Sequence, residues 1–319
     1  MTRVAVVGVG ALGRQHARVY AALPDAELVG VFDTDAGRAR EVAEQYGTVP
    51  FASLDDVLRG TDAVSVAVPT VDHHSVARRL LEAGKAVLLE KPMTVTLAEA
   101  DDLIALASAR GALLQIGHIE RFNPAVDLLL AEVRDPRFIE VHRLGVFSPR
   151  SLDVDVVLDL MIHDLDILLA LDGSEVVQVD AVGVPVLTSR VDIANARLRF
   201  ASGLTANLTA SRVSTEKVRK FRVFSPRTYI SADFTAREAQ VSRLVDKAGR
   251  PEIVVERSAA PDQEPLRRQI EAFLRSLRDR GAPAVTGEAG RRALSLAHIV
   301  LAKMEAGLRP AGVEERSRP

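Results

Sequence analysis

The sequence predicts an α/β protein in two parts: a doubly wound parallel sheet, then an α+β domain with a large, mostly antiparallel sheet. Three observations carry this. A buried strand, Arg3-Val4-Ala5-Val6-Val7, runs straight into Gly8-Val9-Gly10-Ala11-Leu12-Gly13 and a helical pattern. Apolar runs and amphipathic runs then alternate as far as Ile116, the signature of parallel strands joined by crossover helices. From about Phe138 the pattern changes to strand after strand with turn signals between them. No repeat or low-complexity linker marks the boundary. We divide the chain at 1–118 and 119–319.

The elements follow in order. Leu12, His16, Val19, Tyr20 and Leu23 recur at helical spacing, and Pro24-Asp25 closes that helix. Leu28-Val29-Gly30-Val31-Phe32 is the second strand, and residues 36–46 form a charged helix ended by Gly47. Ser53 caps a short helix. Residues 63–68 make a buried strand stopped by Pro69; 76–83 are helical and end at Gly84. Residues 86–89 are a strand. Thr96 and Glu99 form a capping box that opens a helix to about 109, and 113–116 close the series. In the second part, strands are expected at 138–147, 176–187, 193–200, 204–210, 220–224, 228–234, 238–244 and 253–257. Ala201-Ser202-Gly203 turns one hairpin. Helices are expected at 124–133, 156–171, 266–280 and 289–306.

Bulk properties exclude several classes. At 319 residues the chain is long enough for two domains, and 47% apolar with 26% charged residues is ordinary globular composition. A net charge of -2 gives no broad reason to bind nucleic acid or an anionic membrane. With no cysteine there is no disulfide framework, thiolate metal site or cysteine nucleophile. No apolar run approaches the roughly 20 residues that span a bilayer. Arg14, His16 and Arg18 stand where a leader would carry a small-residue cleavage site. A reducing cytoplasm is the expected location.

The glycine loop gains meaning from its context. Asp33 lies twenty residues beyond Gly13, at the end of the second apolar run. Strand, GxGxxG, helix and distal acid together form a dinucleotide-binding fingerprint. Gly8 permits the tight turn, Gly10 lets a pyrophosphate approach the backbone, and Gly13 lets helix and strand pack closely. The helix N-terminus offers unpaired N–H groups to phosphates. Asp33 would accept hydrogen bonds from the adenine ribose, and its charge repels a 2′-phosphate, so NAD is expected rather than NADP.

Other residues bear chemistry by position. Ligands of such sheets bind at the strands' carboxyl ends, where residues 8–13, Asp33, Pro69-Thr70, Glu90-Lys91 and His118 stand. A lysine at a buried strand end can point into the crevice and donate to a substrate hydroxyl; the alternative is a lysine that reaches solvent or pairs with Glu90. In residues 156–169, at about 100° per residue, Asp159, His163 and Asp166 fall on one narrow polar stripe of an otherwise apolar helix, with Asp164 off it. A carboxylate one turn from an imidazole fixes its tautomer and raises its basicity, or else makes a structural hydrogen bond. Gly117-His118-Ile119-Glu120-Arg121-Phe122-Asn123-Pro124 is a polar entry to the second domain. Arg150, Arg212, Lys217, Arg219, Lys220 and Arg227 could meet a phosphorylated substrate or form a solvated basic surface. No metal is expected: adjacent His73 and His74 share no helix face, and there is no HExxH pattern.

Taken together, these motifs resemble the family of glucose–fructose oxidoreductase, inositol dehydrogenase and their relatives. The matching residues are 8–13 with His16, Asp33, Pro69-Thr70 with His73, Ala83-Gly84-Lys85, Glu90-Lys91-Pro92, and Asp159 with His163. The resemblance implies a Rossmann domain followed by a domain with a large antiparallel sheet. It implies Lys91 and His163 as catalytic residues, with Asp159 supporting His163. It implies cofactor contacts from Gly8, Gly10, Ala11, Leu12, Gly13, Asp33, Pro69, Thr70, His73, Glu90 and Lys91. Thr70 stands where many members carry asparagine. Residues 117–124, 158–167 and 218–221 are similar to the branch that oxidises C3 of UDP-N-acetylglucosamine. That likeness implies a sugar-nucleotide substrate, with His118, Arg121, Asn123 and Arg150 as substrate contacts. An inositol or free-sugar dehydrogenase, an NAD-dependent glycosidase and a non-enzymatic dinucleotide sensor are the alternatives. A homodimer or homotetramer through the C-terminal sheet is expected, because one face of such a sheet needs a cover.

Overall fold

The computed structural model describes residues 1–148 and 154–308. In chain order the first elements are β1 (Thr2–Val7), α1 (Ala11–Ala21), β2 (Ala26–Phe32), α2 (Ala36–Tyr46), α3 (Leu54–Gly60), β3 (Ala63–Val66), α4 (Thr70–Glu82), β4 (Ala86–Glu90), α5 (Leu97–Arg110) and β5 (Leu114–Gly117). A 3-10 turn, Ile119–Phe122, leads to α6 (Pro124–Glu132) and β6 (Phe138–Leu144). A π turn at Val157–Met161 precedes α7 (Ile162–Leu171). The remaining strands are β7 (Val176–Val184), β8 (Ile193–Phe200), β9 (Thr205–Ser211), β10 (Val218–Ser225), β11 (Thr228–Asp233), β12 (Glu238–Lys247) and β13 (Arg250–Ala259); α8 (Pro265–Asp279) and α9 (Gly287–Leu308) close the chain.

The chain forms two compact units: Met1–Pro124 with Pro261–Leu294, and Ala125–Ala260 with the chain from Ser295 on. In the first, five strands run parallel in the order β2-β1-β3-β4-β5. The order reverses at β1, which places a crevice at its carboxyl end. Thr96 and Glu99 make the capping box read from the sequence: Glu99 N–H donates to Thr96 Oγ1 at 3.2 Å and Thr96 N–H to Glu99 Oε2 at 2.9 Å. Two local features differ from the sequence reading. The helix after β3 begins at Thr70 rather than at 76, because Pro69 starts it instead of ending the strand into a loop. The helix expected over 156–171 opens as a π turn.

The helix α8 joins the first unit, although 119–319 was expected to be one domain. Its apolar stripe, Leu266, Ile270, Phe273 and Leu274, enters the same core as Val4, Val6, Tyr20 and Leu88. The spacing i, i+4, i+7, i+8 gives one continuous face, and the parallel sheet supplies an apolar surface to bury it. The second unit holds eight strands in the order β13-β12-β11-β10-β6-β9-β8-β7. All neighbours are antiparallel except β6 and β9. In β8 each second residue is buried, so one face packs and the other does not.

Phe273→Ala should remove a fully buried ring from the core shared by α8 and the parallel sheet. We expect a loss of about 3–5 kcal/mol, read as a lower urea midpoint.

Candidate active site

The glycine loop between β1 and α1 is shaped by three different demands. Gly8 has φ +81°, and a Cβ there would stand 2.7 Å from the Ala67 carbonyl oxygen. A Cβ on Gly13 would lie 1.8 Å from the Gly8 carbonyl oxygen. The protein itself therefore requires both glycines. At Gly10 a Cβ would meet no protein atom within 4 Å. Its missing side chain leaves open space beside the loop. The α1 N-terminus beside it carries no side-chain cap, so its N–H groups are open to an anion.

A cavity of about 460 Å³ opens beside this loop, lined among others by Gly8, Gly10, Phe32, Asp33, Val68 and Pro69. Asp33 is pinned within it. One carboxylate oxygen accepts from Val9 N–H at 2.9 Å, the other from Asp35 N–H at 2.9 Å, and Arg38 Nη1 stands 3.3 Å away. An open glycine, an uncapped helix start and a pinned acid together fit a dinucleotide. Ala11 and Leu12 open α1, with Leu12 exposed, and Thr70 is the first residue of α4.

The strand β4 ends at buried Glu90, and Lys91-Pro92 follows with a cis peptide bond. His73 braces this turn from α4. Its Nδ1 lies 2.8 Å from the Pro92 carbonyl oxygen and its Nε2 3.0 Å from that of Val68. Burial pushes the His73 pKa below its ordinary value, against the upward pull of those carbonyls and of Glu90. The ring thus lies between the end of β3 and the turn after β4, and in its neutral form donates its single N–H to one of the two carbonyls. His118 is buried at the start of the 3-10 turn, and Asn123 donates from Nδ2 to Glu120 Oε2 at 3.1 Å. Arg121 is half-buried on the same turn. Arg150 lies outside the described residues.

In the second unit Asp159 sits on the π turn and is half-buried; His163, the second residue of α7, is buried. Asp164, the polar residue off the stripe, proves structural. Its carboxylate takes two bonds from Arg143 of β6, at 2.8 and 2.7 Å. Asp192 is fully buried and accepts from the N–H groups of Val186, Leu187 and Thr188 and from Thr188 Oγ1, all at 2.7–2.8 Å. Burial pushes its pKa up, but these donors hold it far below the usual carboxylate range. Arg212 Nε stands 3.1 Å from Asp192, and Nη2 donates to the carbonyls of Val154 and Val191. A cavity of about 330 Å³ is lined by Arg143, Ser148, Asp159, Arg212, Lys217 and Arg219, among others. The sequence reading missed the Arg143–Asp164 pair. The signal was present: Arg143 shares the inward parity of Ile139 and Val141, where an unpaired charge would be costly.

Two family models match this chain. One, an oxidoreductase family with an NAD-binding Rossmann fold, covers residues 2–118; the other, a GFO/IDH/MocA C-terminal domain, covers 131–230. The chain is 42% identical over 309 residues to a UDP-N-acetylglucosamine 3-dehydrogenase of Acidithiobacillus ferrooxidans, spanning 96% of this chain and 98% of that protein. The chain belongs to the GFO/IDH/MocA oxidoreductase family. A crystal structure of the Acidithiobacillus enzyme superposes with a TM-score of 0.92, covering 97% of this chain and 99% of that one. The myo-inositol 2-dehydrogenase of Thermotoga maritima is 27% identical over 95% of this chain and 96% of its own length. In this GFO/IDH/MocA oxidoreductase the nucleotide-binding model contains the glycine loop, Asp33 and the Glu90-Lys91-Pro92 turn. Among the described residues no helix is long and apolar enough to cross a membrane.

Gly10→Ala and Gly13→Ala should separate ligand space from packing. We expect Gly10→Ala to keep its melting temperature and bind the dinucleotide on the order of tenfold more weakly, a cost of roughly 1.4 kcal/mol. Gly13→Ala should lower the melting temperature itself. Calorimetry with and without the dinucleotide reads both.

Proposed function

We propose that this protein is an NAD-dependent dehydrogenase that oxidises the C3 hydroxyl of a UDP-N-acetylhexosamine to the 3-keto sugar. The observation that carries the substrate is the cavity beside Asp159. Four cationic side chains, Arg143, Arg212, Lys217 and Arg219, line it with Asp159, and the charges of the first two are balanced by Asp164 and Asp192. Asp164 and Asp192 hold the first two guanidiniums in place, while Lys217 is exposed and Arg219 half-buried. Such a lining suits a diphosphate better than a neutral polyol. The 42% identity to a UDP-N-acetylglucosamine 3-dehydrogenase supports the same choice.

A bound nicotinamide supplies the hydride acceptor. Residues 8–13 and the α1 N-terminus hold the pyrophosphate, and Asp33 keeps lone pairs for the ribose hydroxyls while repelling a 2′-phosphate. His163 takes the proton of the sugar hydroxyl, Asp159 steadies the imidazole, and Lys91 donates to the oxygen as negative charge grows on it. A second copy of this chain covering the large sheet belongs to the same reading. Val182 on β7 and Ile253 and Val255 on β13 are more than half exposed, which supports it. We place the enzyme in the cytoplasm, where a dinucleotide pool sustains the reaction.

The test is NADH formation with UDP-N-acetylglucosamine beside free inositols. Turnover of the sugar nucleotide, faster with NAD than with NADP, is expected, and turnover confined to inositols would overturn the substrate assignment. His163→Ala should cut kcat by about 10²–10⁴-fold with little change in dinucleotide affinity.

A further inference from the structure

Behind Lys91 the first unit buries a chain of polar groups that the proposed reaction does not touch. One Glu90 oxygen lies 3.1 Å from His16 Nε2 and 3.3 Å from Gln269 Nε2. The other receives the Lys91 backbone N–H at 3.3 Å. His16 Nδ1 is 3.1 Å from Ser65 Oγ, which is 2.9 Å from the Tyr20 hydroxyl. His16, Tyr20, Ser65 and Gln269 are all fully buried, and Glu90 is 4% exposed. Gln115 Nε2 in turn donates to the Gln269 carbonyl at 3.2 Å. The backbone makes room for the carboxylate: a Cβ on Gly117 of β5 would lie 2.5 Å from Glu90 Oε1.

The bonds form one consistent direction. Tyr20 can donate to Ser65, Ser65 to His16 Nδ1, and His16 Nε2–H to Glu90. A neutral imidazole satisfies every step. A carboxylate buried this deeply needs a cation, and the next residue is Lys91. Burial pushes the Glu90 pKa up, but the His16 bond, the charges of His16 and Lys91 and the Gln269 bond outweigh it and hold the carboxyl below its ordinary value. The groups around it are His16 and Tyr20 from α1, Ser65 from β3, His73 from α4, Gln269 from α8, and Gly117 from β5. Of these, burial disfavours the charged form of His73, and Gln269 is neutral.

We propose that Glu90 is the positioning residue for Lys91: the buried counter-charge that keeps the lysine an ammonium and fixes the turn that presents it. His16 and Gln269 hold Glu90 in that role, the latter from 179 residues away in sequence on α8. This rests on the reading that Lys91 acts on the substrate oxygen.

The experiment compares wild type, Glu90→Gln and Gln269→Met. Competitive acetic-anhydride labelling, read by mass spectrometry, follows the ionisation of Lys91 against pH, and kcat/KM is measured over the same range. Removing the negative neighbour makes the ammonium harder to keep. In Glu90→Gln, Lys91 should therefore label at lower pH, and the high-pH limb of kcat/KM should move down with it by about one pH unit or more. Gln269→Met should move both the same way by less, at unchanged dinucleotide affinity; it removes a donor and not a charge, and carries the comparison should Glu90→Gln not fold. A labelling profile unmoved in the folded variants overturns the proposal. If labelling shifts while Lys91→Met keeps near-normal turnover, the Glu90–Lys91 coupling stands and the catalytic reading of Lys91 falls.

Discussion

A carboxylate taken out of water must be met by donors around its lone pairs, and the segments that carry this protein's chemistry are built on four such groups. Asp33 is held by the amides of Val9 and Asp35 and so joins the glycine loop to the end of β2. Glu90 gathers α1, α8 and the turn at Lys91. Asp164 locks α7 to β6 through Arg143, and Asp192 closes the 186–192 loop while steadying Arg212. Removing one partner from such a pair strands the other, at a cost of about 3–5 kcal/mol. The rigidity that a binding site needs follows from this penalty.

The glycines divide by what excludes their side chains. Gly8, Gly13 and Gly117 are excluded by atoms of the protein, and Gly10 by none. Gly10 also borders the cavity that contains Asp33, so the space beside it belongs to that cavity. The uncapped amides beside it leave the same spot open to water or an anion.

Most of the fold was legible because its signals are local. Strand–helix alternation, the capping box at Thr96 and Glu99, and the hairpin at 201–203 each depend on neighbours a few residues apart. The switch from parallel to antiparallel sheet was readable from the spacing of turns. What escaped was pairing over distance. Nothing near Asp164 in sequence announces Arg143, and nothing near Glu90 announces Gln269. The apolar stripe of α8 was plain, but a stripe does not say which sheet it meets. Pro69 was read as a stop, when a proline serves equally well at a helix start. The π turn at Val157–Met161 replaced a helix whose periodicity alone could not reveal a wider turn. Within the candidate site, residue types at strand ends were readable; their hydrogen-bond partners were not.

The return of α8 to the first unit has a consequence for how the molecule is made. Phe273 and Ile270 belong to the same core as Val4 and Val6. A ribosome delivers Val4 first and Phe273 only after the whole eight-stranded sheet has been synthesised. The core of the dinucleotide-binding unit is therefore incomplete until α8 has been made. Although domains generally fold from the N-terminus onward during synthesis, here each unit closes with a segment made after the large sheet, the first with Pro261–Leu294 and the second with the chain from Ser295 on.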